Sequence, residues 1–310
     1  MLRKPSDQDI QIFAALADHS ALTTQQLALV TARNPKSLGR RVRELCGDGL
    51  IQTLPRPLGR KRGRPENVLL LTPSGAELLL EHLGDSGGFS VDTLAGSPTG
   101  DIDHTLLINW FRIGLQGITD HNPSLNTVFL ASNSPFLPQL PDGSSPVLDR
   151  VVVDSAADKW MDFIPDGVFT INNGDQGQRK SLLFFLEVDM GTEPLASPTA
   201  GGRDLRQKIL NYQAYFRTNR YRRYEELWGC RFNGFRLLFL ANTAGRMAVI
   251  CRLVQEMVPS DFIWITDQER VFEKGLGAAI WARGGKDQTP PHSILGPSLV
   301  YESPLPASPA

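Results

Sequence analysis

From Phe163 to Ile265, apolar runs of strand length alternate with segments of helical periodicity, and this alternation most limits the architectures open to the chain. Phe163 to Ile171, Leu182 to Asp189, Phe235 to Ala241 and Phe262 to Ile265 read as strands, whereas about Arg203 to Glu226 and Arg246 to Met257 read as helices. Upstream, His104 to Ile118 is expected to be helical and Val128 to Ala131 and Val151 to Val153 extended, with a Pro/Ser-rich loop from Ser132 to Pro146. Strands followed by alternating helices and strands predict a three-layer α/β or α+β domain, over residues 104–283. Residues 284–310 hold six prolines and little charge, which predicts a disordered tail.

A second, smaller unit precedes this one. Ile10, Phe13, Ala14, Leu16 and Ala17 fall at helical spacing behind Ser6 as N-cap. Leu22-Thr23-Thr24 is expected to open a second short helix carrying Leu27 and Val30. Asn34-Pro35 opens a third, with Leu38, Val42 and Leu45 facing a core and Gly47-Asp48-Gly49 as its stop. A strand from Leu50, a loop from Pro55 to Pro65, a return strand Val68 to Thr72 and a helix Pro73 to Leu83 complete a domain over 7–83. Residues 84–103, rich in Gly and Ser, read as a linker. No internal repeat is visible.

Charge separates the two ends. The whole chain carries 32 Lys plus Arg against 33 Asp plus Glu, yet ten basic and only two acidic residues lie between Arg33 and Arg64. Lys36, Arg40 and Arg43 share the face of the third helix opposite Leu38, Val42 and Leu45, and Arg56, Arg60, Lys61, Arg62 and Arg64 crowd the hairpin loop. This pattern resembles a winged helix-turn-helix DNA-binding domain, with 36–48 as recognition helix and 55–67 as wing. The resemblance implies major-groove contacts from Lys36, Ser37, Arg40, Arg41 and Arg43, and double-stranded DNA as partner. Lys61-Arg62-Gly63-Arg64-Pro65 looks like an AT-hook core, suited to a narrow minor groove, so Arg60, Lys61, Arg62 and Arg64 join the expected DNA contacts. A solvated helix face beside a charged loop is the plainer alternative, and a protein-docking winged module another.

In the larger domain, Glu187 and Asp189 stand two apart on one strand and therefore share a face, while Leu186 and Val188 pack on the other. Asp166, in Pro165-Asp166-Gly167 at the end of another strand, could join them, and three converging carboxylates suit Mg2+ or Mn2+. Singly, each acid is explained as well by a strand-end cap or a turn. The order of elements and acids resembles the PD-(D/E)XK nuclease superfamily over about residues 104–266. That resemblance implies a catalytic and metal-binding set of Asp166, Glu187 and Asp189, with Lys208 on the next helix supplying the cation the motif places where Asp189 stands. Tyr212, four residues on, shares the face of Lys208.

More narrowly, the chain is similar to the replication-relaxation family over about residues 7–257. The shared features are His104-Thr105-Leu106 with Asn109, Pro165-Asp166-Gly167, Glu187-Val188-Asp189 with Gly191-Thr192-Glu193, and Lys208 with Tyr212. The resemblance implies a DNA-associated role in plasmid or mobile-element replication. Three readings follow: a winged DNA-binding protein with a nuclease-like domain that acts on or grips DNA; a transcriptional or replication regulator whose second domain is a silent dimerisation or docking module; and an accessory factor of a relaxase or replication initiator. A homodimer is compatible with each. Three scattered cysteines, Cys46, Cys230 and Cys251, offer neither a disulfide framework nor a zinc site, and with no apolar leader or spanning segment the expected location is cytoplasmic. Walker spacing and a Gly-x-Ser-x-Gly elbow are missing, which argues against an ATPase or a serine hydrolase. The Arg217, Arg220, Arg222 and Arg223 cluster reads as a solvated helix end or an extension of a DNA track.

Overall fold

A computed structural model describes residues 5–55, 66–84, 88–95, 101–140, 142–154, 159–174, 180–196 and 204–306. The chain divides into two compact units, one of residues 1–113 with 133–136, the other of 114–132 with 137–307. The division between the units falls within the helix Ile102–His121.

In the first unit, helix α1 (Asp7–His19) starts at a capping box in which Ser6 and Asp9 exchange hydrogen bonds. Strand β1 (Leu22–Thr23) follows, and Thr23 then caps α2 (Thr24–Val30) in a second box with Gln26. The expected helix carrying Leu27 and Val30 thus begins at Thr24 behind the Thr23 cap, while Leu22 and Thr23 also pair with Leu69 and Val68. Asn34 caps α3 (Pro35–Gly47), with Pro35 in the first turn, where its missing N–H costs nothing. Strands β2 (Ile51–Leu54) and β3 (Val68–Leu71) pair antiparallel in a sheet ordered β1-β3-β2. Thr72 caps α4 (Pro73–Leu83). The expected linker contains a further helix, α5 (Val91–Ala95), whose Leu94 is buried in the core with Phe13, Leu16, Leu38, Leu45, Leu69 and Leu79.

Helix α6 (Ile102–His121) leads into the second unit. There β4 (Leu125–Ala131), β7 (Gly167–Asn173) and β8 (Lys180–Asp189) form an antiparallel meander. Helix α7 (Leu205–Arg217) then crosses to β9 (Phe235–Ala241), parallel to β8, and α9 (Ala244–Glu256) crosses to β10 (Ile263–Asp267), parallel to β9. Strand β11 (Ala282–Arg283) closes the order β11-β10-β9-β8-β7-β4. A separate hairpin, β5 (Asp149–Asp154) with β6 (Lys159–Phe163), stands outside this sheet. On one face, Phe185, Leu237, Phe239 and Ile265 pack with Ile209 and Tyr212 of α7 and Met247 and Ile250 of α9. Phe169 and Phe184 stack at 4.7 Å between centroids.

Two expectations give way here. The helix read from about Arg203 to Glu226 is broken: Asn219 turns left-handed (φ 56°), a 3-10 turn spans Arg220–Arg222, and α8 (Arg223–Trp228) resumes. The cause is buried Asp149, which accepts from Tyr215, Arg220 and Arg223, so two arginines of the cluster serve as structural anchors. The tail is ordered rather than disordered through residue 306. After α10 (Gln268–Lys274), Trp281 pairs with His292, Ile294 is fully buried, and Leu305 donates to the Phe272 carbonyl.

Candidate functional site

Two places carry the residues singled out by sequence. The first is α3. Lys36, Ser37, Arg40 and Arg43 are exposed, with Leu38, Val42 and Leu45 buried on the opposite side. Among the described residues no carboxylate pairs with Lys36, Arg40 or Arg43. Arg41 differs. Its Nε and Nη2 donate to Asp9 at 2.7 and 2.8 Å and its Nη1 to Glu44 at 2.6 Å, so this arginine ties α3 to α1. Burial pushes the Asp9 carboxyl up, but the Arg41 and Ser6 hydrogen bonds outweigh it and hold it down at about 2. Arg56, Arg60, Lys61, Arg62 and Arg64, the expected wing contacts, lie outside the described residues.

The second place is the C-terminal end of β8. Register puts Gly167 opposite Leu186, and so Asp166 opposite Glu187 on the neighbouring strand. Asp166 Oδ2 accepts the Val188 N–H at 2.7 Å, replacing a ladder partner. Glu187, 4% exposed, accepts from Tyr212 Oη at 2.5 Å and Lys208 Nζ at 3.0 Å. Lys208 also lies 3.3 Å from Glu193. One turn of α7 separates Lys208 from Tyr212, which is why both reach the same carboxylate. Burial raises Glu187 to about 7 against the pull of the Lys208 ammonium, and the charge of Asp166 pushes the same way as burial. Lys208 is raised in turn: burial opposes its charge, but Glu187 and Glu193 outweigh it.

Asp189 faces the same side as Glu187, as a two-residue strand period requires, yet it meets different partners. Arg246 grips it with two hydrogen bonds, Nε at 2.6 Å and Nη2 at 2.9 Å, and the Gly191 N–H adds a third at 2.8 Å. Arg246 Nη2 also donates to the Glu193 carbonyl. Arg246 was not legible as a site residue, since it lies 57 positions from Asp189 and no spacing rule links them. Among the described residues no group of three or more His, Cys, Asp or Glu is disposed to hold a metal. Asp166 and Glu187 adjoin, but Asp189 is spent on Arg246, so the three do not fit a three-carboxylate Mg2+ or Mn2+ cradle as they stand. What the arrangement provides is a buried carboxyl, raised to about 7, beneath an ammonium, with the half-exposed Glu193 at the rim.

The string that runs through both units also has a structural logic. Asn109, fully buried, donates from Nδ2 to the carbonyls of His19 and Ala21 and so fixes the turn between α1 and β1. A family model described as replication-relaxation matches residues 13–229, well over half of the chain. The chain belongs to the replication-relaxation family. No curated protein and no solved structure matches it. The replication-relaxation match covers α3, Asp166, Glu187, Asp189 and Lys208, but ends before Arg246. No helix among the described residues is long and apolar enough to cross a membrane.

Proposed function

We propose that this replication-relaxation protein binds duplex DNA through α3 and that its second unit grips or docks without cutting. The observation that carries the first half is the exposed row Lys36, Ser37, Arg40 and Arg43, unpaired with carboxylates among the described residues and backed by a buried apolar face. The element order supports a winged reading: helix, strand, two helices joined by a short turn, then a hairpin whose strands pair as β1-β3-β2. In that reading α3 enters the major groove, Arg40 and Arg43 reach base edges or phosphates, and the loop with Arg60, Lys61, Arg62 and Arg64 flanks it.

Fluorescence anisotropy with labelled duplex DNA tests this. Each phosphate contact contributes a slope of about −0.9 in log K against log salt, so Arg40→Ala and Arg43→Ala should weaken binding and each flatten the slope by about 1. A wild-type curve flat from low to moderate salt, or variants that bind like wild type, would overturn the proposal.

A second reading is a metal-dependent endonuclease with Asp166, Glu187, Asp189 and Lys208 as its site. It is favoured by the connectivity α6, β4-β7-β8, α7, β9, which follows the order the nuclease resemblance implies, and by Asp166 standing opposite Glu187. Supercoiled plasmid incubated with Mg2+ or Mn2+ decides between them. The silent reading expects no nicking; nicking abolished by Asp166→Ala and Glu187→Ala would replace it with the endonuclease.

A further inference from the structure

At the opposite end of the sheet from Glu187, where β8 and β9 begin, lies a groove of about 410 Å3. Its walls include Phe216, Phe262 and Trp264, together with Arg236 and Arg283. The Phe216 ring is 36% exposed and packs 5.3 Å from Phe262. Arg236 is half-buried, with its guanidinium 4.4 Å above the Trp264 ring and 5.7 Å from that of Phe184.

The charge balance of this groove is unusual. Arg236 donates only to the Ile294 carbonyl and meets no carboxylate among the described residues. Burial and the neighbouring Arg283 both work against its charge. Arg283 donates from Nε to the Asp261 carbonyl at 3.3 Å and meets the Asp261 carboxylate at 3.7 Å, with both side chains about half exposed or more. A guanidinium held in place by stacking, desolvated and short of a counter-charge, is preorganised for an anion with in-plane acceptors. The adjoining rings offer what a base requires, a flat apolar face.

We infer that this groove binds single-stranded nucleic acid, its phosphates on Arg236 and Arg283 and a base against Phe216 and Phe262. Aromatic rings interleaved with cations are the general solution for gripping unpaired strands without reading sequence. Duplex DNA does not satisfy the same surface, because its bases are stacked within the helix and unavailable to Phe216. The inference is independent of α3 and of the Glu187 cluster, neither of which contributes to the groove.

The test uses the full chain carrying Arg40→Ala and Arg43→Ala, which lowers the contribution of α3, with a fluorescein-labelled oligothymidylate as probe. Binding is expected to persist in that background and to weaken about tenfold or more on adding Phe216→Ala, the loss of one stacked base. Arg283→Ala, an exposed change, should reduce the salt slope by about 0.7. Arg236→Gln should weaken binding as well, with melting temperature checking that the sheet is intact. Absence of binding to the oligonucleotide, or binding that none of the three substitutions alters, would overturn the inference; displacement of the oligonucleotide by equal nucleotide concentrations of duplex would do so too.

Discussion

Replacing Arg41 by alanine separates a structural arginine from its exposed neighbours Arg40 and Arg43. Asp9 is 1% exposed and titrates at about 2 instead of 3.8, because the Arg41 and Ser6 hydrogen bonds outweigh the cost of burial. A carboxylate depressed by that much contributes about 2.5 kcal/mol, fully present above about pH 4 and lost as pH falls through about 2. Ser6 keeps its share in the variant, and Arg41, one-third exposed, is partly screened by solvent. The expected loss at neutral pH is therefore about 1–2 kcal/mol, or roughly 5–10 °C in the melting of the first unit. Arg40→Ala and Arg43→Ala, exposed and without carboxylate partners, should change stability by less than about 0.5 kcal/mol while lowering duplex affinity. Calorimetry and anisotropy on the three variants, at a temperature where all are folded, give the comparison. If Arg41→Ala melted like wild type yet lost binding as Arg40→Ala does, the assignment of Arg41 to the α1–α3 tie would be refuted.

Three other outcomes are expected. Gly167→Ala should destabilise the second unit by about 1–3 kcal/mol, since a Cβ there would stand 2.2 Å from the Phe129 ring; chemical denaturation yielding wild-type stability would show that the ring moves aside freely. Ile294→Ala should cost about 2–5 kcal/mol because the side chain is fully buried, whereas a disordered tail would tolerate it without change in unfolding midpoint. Glu187 is raised to about 7 from 4.5, so the stability tied to its proton is fully present below about pH 4.5 and is lost as pH rises through about 7. Relative to wild type, Glu187→Gln should accordingly gain stability between pH 5 and pH 8, and a difference independent of pH would contradict a raised carboxyl.

Local chemistry was legible in the residues wherever its partners lie close in sequence. Ser6, Asn34-Pro35 and Pro73 mark helix starts through local chemistry, and α3 and α4 begin and end close to where those signals place them. Lys208 and Tyr212 were legible for the same reason, one helical turn apart on a common face. The departures all come from distant partners. Leu22-Thr23 is extended because β3, some 45 residues on, supplies its ladder. The break after α7 answers to Asp149, 66 residues before Tyr215. Proline content at the C-terminus signalled disorder, but Trp281 and Ile294 bury enough apolar surface to hold the segment, and periodicity says nothing about so irregular a path.

The same distinction bears on what the carboxylate end can become. Four acids, Asp166, Glu187, Asp189 and Glu193, meet two cations, Lys208 and Arg246, so the acids outnumber the cations even with these ion pairs formed. That excess is what a divalent cation would neutralise, but at Asp189 it would compete with Arg246 and the Gly191 N–H, and at Glu187 with Lys208. Glu187 could turn an oxygen outward only by giving up Lys208 or Tyr212, each a charge-assisted hydrogen bond contributing about 1.5–3 kcal/mol. A loss of that size corresponds to roughly ten- to a hundredfold in affinity for whatever displaces it. Occupancy of this end, by a metal or by a partner's cationic side chain, is thus set less by the number of carboxylates than by how readily α7 releases Glu187. Substitution at Lys208 tunes that release without touching a carboxylate.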